Sequence, residues 1–426
     1  MKKKVLAMFL AAAMVVSMAA CGSGDSEANQ GNDTQQGDDA QEPAGDDAQE
    51  PAGDDAQEPA GDDAQEPAEN GGAADVKLDG SWPEETVKIG FVGYDQASEQ
   101  QQAITNYFDY LCENFNMEIM YSEDLTDAQS ELDFIGSCAA AGCKAVIGYY
   151  NEAKEQSAIT CADYEMYYWG GFGGDEDSVA AAVEGAGEYY LGGYTLGEAE
   201  YEAGRSMAKA LAEQGCEKVV LCSGGAAMGV PMFVSRKQGF EDGVKEAVEG
   251  GATMEIVYEV EGWPGTDAFT AAQTSVMDME IDAIASTFDV AMWFQLVMES
   301  GKADTLKLAC IGEVSDTYHD FFNSGLVSVI VYDNEETCFG NAIPLILNAV
   351  SGTKLVDENG NGFLFPVERW TITTPEQYNA VYDLHDAGNW VVTAEDIANL
   401  IVAFNPDATT DTFKEFYGAF TIDSVR

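Results

Sequence analysis

Positive charge is what this 426-residue chain has least of: 19 Lys and Arg stand against 76 Asp and Glu, a formal charge of −57. Three of those basic residues, Lys2, Lys3 and Lys4, lie at the extreme N-terminus, and none follows until Lys77. Phosphate binding needs clustered Lys and Arg, so nucleic acid is disfavoured as a partner. Histidine is equally scarce, with only His319 and His385, and no cysteine pair has zinc spacing. A metal centre built on Cys and His therefore has little support. There is no G-x-S-x-G elbow, Walker loop or dinucleotide fingerprint, so the chain reads as non-catalytic and implies no cofactor. What is present is 46% hydrophobic and 11% aromatic residues, enough for a substantial core, over a length that allows two or three domains.

The first 20 residues read as an export signal. Lys2 to Lys4 precede an apolar run from Val5 to Val16, and Ser17-Met18-Ala19-Ala20 leads to Cys21. The run is shorter than the roughly 20 residues of a membrane span and carries secretory flanks. Small residues followed at once by cysteine resemble the lipobox of bacterial lipoproteins. That resemblance implies cleavage before Cys21, lipidation of its thiol and a place on the extracellular face of the cytoplasmic membrane.

Residues 21–80 read as a tether. Gly37 to Ala68 is GDDAQEPA written four times, with no apolar side chain larger than Ala or Pro. A solenoid repeat needs large apolar residues to stack its neighbours. From Gly22 to Asp75 there are 17 acidic and no basic residues, so the segment repels itself and is expected to stay extended and disordered. Beyond it, Cys112, Cys138, Cys143, Cys161, Cys216, Cys222, Cys310 and Cys338 fall mostly inside apolar runs such as Val219 to Cys222, the pattern of core thiols. A bridge among them is not deducible from spacing.

The remaining chain alternates strand and helix patterns. Strands are expected at Val87–Val92, Glu118–Tyr121, Lys144–Gly148, Met166–Trp169 and Tyr189–Gly192, then at Lys218–Cys222, Met254–Val260, Ala283–Thr287, Lys307–Gly312 and Val327–Val331. Helical patterns separate them. The fold class is α/β: two doubly wound parallel-sheet lobes joined by a hinge. The N-terminal lobe is placed at 86–191 with about 334–365, the C-terminal lobe at 192–333 with part of the C-terminal segment, and a helical extension at 374–426.

Ligands of such sheets sit at the carboxyl ends of strands, at a topological switch point. The loops there hold Tyr94-Asp95-Gln96, Tyr149-Tyr150-Asn151, Trp169, Trp263, Phe288-Asp289 and Asp333-Asn334. Neutral sugars have an apolar ring face and a hydroxyl rim, so aromatic plates beside amides and carboxylates suit a monosaccharide or polyol.

The order of elements, with Phe233-Val234-Ser235-Arg236-Lys237-Gln238-Gly239-Phe240 opening a helix and Ile281-Asp282-Ala283-Ile284 leading to Phe288-Asp289-Val290-Ala291, resembles the type I periplasmic binding proteins. Within them it is similar to the ribose-like sugar-binding lipoproteins of ABC importers, over roughly Val87 to Thr373. That resemblance implies that Arg236 and Asp289 bind ligand hydroxyls from the second lobe, that Asn334 takes the polar place at a crossover, and that Tyr94, Gln96 and Tyr150 face them. It also implies an ABC permease as partner. A nucleoside-binding lipoprotein or a ligand-reporting receptor of a sensor kinase shares the same fold. The chain departs from the family at Glu200-Tyr201-Glu202-Ala203-Gly204, where Asp-Asn or Asp-Tyr is common.

One motif stands apart. Asp357, Asn359, Asn361 and Glu368 meet calcium-loop spacing, yet Pro366 and a strand-like run from Phe363 to Thr373 replace the exit helix, so no metal is assigned.

Overall fold

The computed structural model describes residues 77–425 apart from 94, 150, 151, 154, 173–175, 196 and 197. The export signal, Cys21, the repeat, Tyr94 and Tyr150 lie outside the described residues.

Largely apolar runs of three to seven residues make most of the strands, and amphipathic stretches, several with polar N-caps, make the helices between them. The first series is β1 (Val87–Val92), α1 (Glu99–Asn114), β2 (Met117–Tyr121), α2 (Ala128–Ala141), β3 (Ala145–Gly148), α3 (Glu155–Asp163), β4 (Tyr167–Phe172), α4 (Glu176–Ala186) and β5 (Tyr190–Thr195). Ser98 starts α1 by accepting from the Gln101 amide at 3.1 Å, and Asp127 and Ser130 form a capping box on α2. The second series is α5 (Ala199–Glu213), β6 (Lys218–Gly224), α6 (Pro231–Glu249), β7 (Glu255–Glu261), α7 (Asp267–Met277), β8 (Ala283–Ser286), α8 (Phe294–Ser300), β9 (Lys307–Gly312), α9 (Asp316–Asn323) and β10 (Val327–Tyr332). Then come α10 (Glu335–Cys338), α11 (Ala342–Val350), β11 (Phe363–Pro366), β12 (Trp370–Ile372), α12 (Pro375–Asp386), α13 (Ala394–Asn399) and α14 (Thr410–Gly418).

Two six-stranded sheets result, in the orders β11-β5-β4-β3-β1-β2 and β12-β10-β9-β8-β6-β7. All pairings are parallel except β10 with β12. Each sheet is buried on both faces, which is why its inner strands read as continuous apolar runs. The order reverses between β1 and β3 in one lobe and between β6 and β8 in the other. Those are the two switch points.

The strand-like run after Gly362 proves to be two strands in different sheets: β11 pairs with β5, and β12 with β10. The chain therefore crosses between lobes after Thr195, after Tyr332 and after Pro366. The first lobe's sheet reaches Thr195, beyond the boundary expected at 191. The segment 374–426 is shared between lobes: Tyr378 and Val381 of α12 pack into the second core, whereas Ile397 of α13 and Phe413 and Tyr417 of α14 pack into the first. Helix α11 is apolar all round because the first lobe encloses it, and its Asn348 ties the end of α13 by bonds to Leu400 O and Val402 N, both 2.8 Å.

All eight cysteines from Cys112 to Cys338 are free, and all but Cys112 are buried. The loop at Asp357 is an Asx turn: its carboxylate accepts from the Asn359 and Asn361 amides at 2.8 Å, with Gly360 at φ +84°.

Helices α5 and α6 pack backbone to backbone. A Cβ on Gly204 would lie 1.9 Å from the Arg236 carbonyl oxygen, and one on Gly239 would lie 1.8 Å from that of Tyr201. Gly204→Ala or Gly239→Ala is expected to lower unfolding free energy by about 1–3 kcal/mol or more in denaturant titrations. Gly418→Ala, where an added methyl meets nothing within 4 Å, is expected to stabilise by about 0.5–1 kcal/mol.

Candidate functional site

At the second lobe's switch point, three aromatic side chains form one cluster. Phe233, from the first turn of α6, lies 4.8 Å from Trp263 and 6.1 Å from Phe288, and those two are 5.4 Å apart, all edge-on. Gly224 and Gly225 at the end of β6 make the room, since a Cβ on either would strike Phe233 or Val230 at 2.8 Å. Trp263 and Phe288 stay partly exposed at the strand ends.

Arg236 stands behind this cluster with its guanidinium 5.6 Å from the Phe233 ring centre. It was expected to serve a ligand beside Asp289. Instead it donates to Glu200 and, at 2.7 Å, to the Thr287 carbonyl. Asp289 is exposed, does not pair with Arg236, and accepts from Tyr318 and from the Ala291 amide at 2.6 Å. Asn334 is at the crossover as expected, but it is 1% exposed and caps α10 through Thr337 N at 2.9 Å. Trp169 lies within β4, not after it, and is fully buried against Tyr194 and Phe339. Gln96 sits at the end of β1 with its amide nitrogen lacking a partner.

Glu200 connects Arg236 to Arg369. Arg369 places Nη1 and Nη2 2.6 and 3.1 Å from the Glu200 oxygens, and Nε and Nη2 2.5 and 2.9 Å from those of Asp333. Two forks on one guanidinium and two carboxylates make a neutral, buried quartet with Arg236. Glu200 follows the first crossing, Asp333 the second, and Arg369 the third. One network thus joins all three hinge segments. Burial works against the Glu200 carboxylate, but Arg236 and then Arg369 outweigh it and hold its pKa down at about 2. Burial presses the Arg236 pKa down, while Asp333 and Glu200 override burial at Arg369. Both remain charged at neutral pH.

Nearby, the short helix α10 holds two more buried acids. Glu336 accepts from His385 at 2.7 Å and from the Val392 amide. Glu335 accepts from the Tyr332 hydroxyl at 2.6 Å. Across the gap, Thr317 of α9 donates to Glu99 of α1 at 2.6 Å, so the lobes touch. A separate groove of about 480 Å³, lined by Met298, Lys307 and Phe321 among others, lies at the opposite end of β9 from these groups.

The resemblance and the loop chemistry pointed to Arg236, Trp263 and Asp289 but not to Glu200, Asp333 and Arg369 as a unit. The one available signal was the departure from the family pattern at Glu200 to Gly204.

No protein-family model matches the chain, and no curated protein matches it. Solved structures do. A periplasmic sugar-binding protein from Pseudomonas fluorescens aligns with a TM-score of 0.59 at 15% identity, covering 80% of this chain and 99% of that one. The chain has the type I periplasmic binding protein fold. An ABC transporter periplasmic solute binding protein from Actinobacillus succinogenes, with bound D-allose, shares this fold at 0.54 and 15% identity over 69% of this chain and 99% of that one. A galactofuranose binding protein does so at 0.53 and 15%, over 71% and 100%. No described helix is long and apolar enough to cross a membrane.

Removing Arg369 leaves Glu200 and Asp333 short of a buried partner, so Arg369→Met is expected to cost about 3–5 kcal/mol by chemical denaturation. The depressed Glu200 pKa adds stability that is complete above the unfolded carboxylate value and is lost as pH falls toward 2. Between pH 5 and pH 2.5, wild type is expected to lose about 2 kcal/mol through this group, and Glu200→Gln to lack that part of the slope.

Proposed function

We propose that the chain is a non-catalytic solute receptor that closes its two lobes on a small hydroxyl-bearing molecule of the monosaccharide or polyol class. The observation that carries this reading is the Phe233, Trp263 and Phe288 cluster at the second lobe's switch point. Edge-on aromatics with partly open rings supply apolar plates for a sugar face. Exposed Asp289, fixed by two donors, supplies an oriented acceptor for the hydroxyl rim. The D-allose bound to one structural neighbour and the galactofuranose that another binds add support.

Closure would bend the three crossings while the lobes stay rigid, and the closed form would dock on an ABC permease. The leader ending at Cys21 and the acidic repeat support a lipid-anchored receptor held on the extracellular face of the membrane by a spacer.

A ligand that binds only the folded form raises the melting temperature by mass action, about 2.7 kcal/mol of stabilisation at one hundred times Kd. In a thermal-shift panel of sugars, polyols, nucleosides and amino acids, a sugar or polyol is expected to give the largest shift. A nucleoside giving the only shift would replace this reading. Trp263→Ala is expected to weaken the best ligand at least tenfold, about 1.4 kcal/mol, in calorimetry. Unchanged affinity would remove the cluster from the site.

A further inference from the structure

Beyond the three crossings made at strand ends, the C-terminal segment passes between the lobes twice more. Helix α12 belongs to the second lobe: Tyr378 and Val381 are buried in its core, and the Tyr378 hydroxyl donates to the Ser315 carbonyl, just before α9, at 2.6 Å. By Trp390 the chain is in the first lobe. The Trp390 ring lies 5.1 Å from that of Tyr107 and 5.8 Å from that of Tyr110, both on α1. The Tyr107 hydroxyl donates to the Val392 carbonyl at 3.0 Å, and the Ala394 amide donates to the Tyr110 hydroxyl at 2.9 Å. After α13 and α14 the chain returns. Phe420 packs on both cores, Ile422 and Val425 pack on the second, and the turn Ile422–Ser424 lies against β12.

The two ends of the first of these passages meet on one side chain. Glu336, 1% exposed in α10 of the first lobe, accepts from His385 at 2.7 Å through Oε1 and from the Val392 amide through Oε2. The His385 ring also lies 5.4 Å from that of Trp390. Between these ends, residues 386–389 are exposed. Seven peptide steps separate His385 from Val392, enough to span about 23–25 Å when extended. Chain length therefore does not hold the ends together; the carboxylate does. Parting His385 from Glu336 would leave a buried carboxylate to the Val392 amide and, at 3.5 Å, to Asn334 Nδ2. A buried acceptor that loses a donor is costly.

We propose that residues 385–425 form a strap across the hinge, buckled at Glu336, that limits how far the two lobes separate. Rotation about the three strand-end crossings would draw His385, carried by the second lobe, away from Glu336 in the first. The buckle resists that step. Such a strap narrows the range of open states in the free protein, so less conformational freedom is lost when the cleft closes on a guest. It rests on the fold alone and is independent of what the cleft binds.

Pulsed electron double-resonance distances across the cleft test it in the ligand-free full chain. Nitroxides are placed at Gln102→Cys in the first turn of α1 and Met228→Cys after β6, both exposed, with Cys21→Ser and Cys112→Ser leaving the seven buried thiols in place. His385→Ala is expected to move the distance distribution outward by more than about 2 Å and to broaden it. His385→Gln, which still offers Glu336 a donor, should stay near the parent. Trp390→Ala frees the first-lobe end and should shift the distance in the same direction, so it gives the reading if His385→Ala does not fold. An unchanged distribution in folded His385→Ala, or in Trp390→Ala where the first does not fold, overturns the strap. A shift as large with His385→Gln as with His385→Ala overturns the buckle, because ring packing and not the contact with Glu336 would then hold the ends.

Discussion

Two arginines and two carboxylates, locked together out of reach of water, set how the three hinge segments meet. A lone charge at that depth would be costly, and the quartet is stable only as a complete set. Glu200 is delivered by the opening turn of α5, Arg236 by α6, and the two helices come close enough because Gly204 and Gly239 lack side chains. Arg369 then gathers the second and third crossings by forking two carboxylates at once. A planar guanidinium does this and an ammonium does not, because its donors are fixed in one fork.

The residues after β10 show how closely the hinge contacts are interleaved. Asp333 goes to the hinge quartet, Asn334 caps α10, Glu335 takes the Tyr332 hydroxyl, and Glu336 takes His385 and the Val392 amide. Four consecutive polar residues thus have four separate destinations, within a turn that is almost entirely buried.

Most of the sheet architecture was legible because buried parallel strands leave continuous apolar runs. The ten strands from β1 to β10 fall within a few residues of their expected places, as at Val87–Val92 and Lys307–Gly312. What the pattern could not show was partner choice. Phe363 to Thr373 reads as one extended run, and only tertiary contacts reveal that Val367 to Arg369 carries it from one sheet to the other. Arg236 was legible as important, but not its partner, since Glu200 lies 36 residues away and the pairing depends on helix packing. Trp169 looked like a strand-end plate because the strand was ended too early; its ring belongs to the core. Asp289 and Trp263 do stand in the loops after β8 and β7, while Asp333 and Arg369 passed unnoticed as members of the Glu200 network in a chain already crowded with acids.

The central claim is that one guest is held by both lobes at their switch points. Hydrogen–deuterium exchange of the full chain, with and without its most stabilising ligand, tests it directly. The account predicts that 95–101 at the end of β1, 287–291 after β8 and 313–317 after β9 gain protection together. Protection confined to one lobe, or centred on the groove beside Lys307 and Phe321, would contradict it.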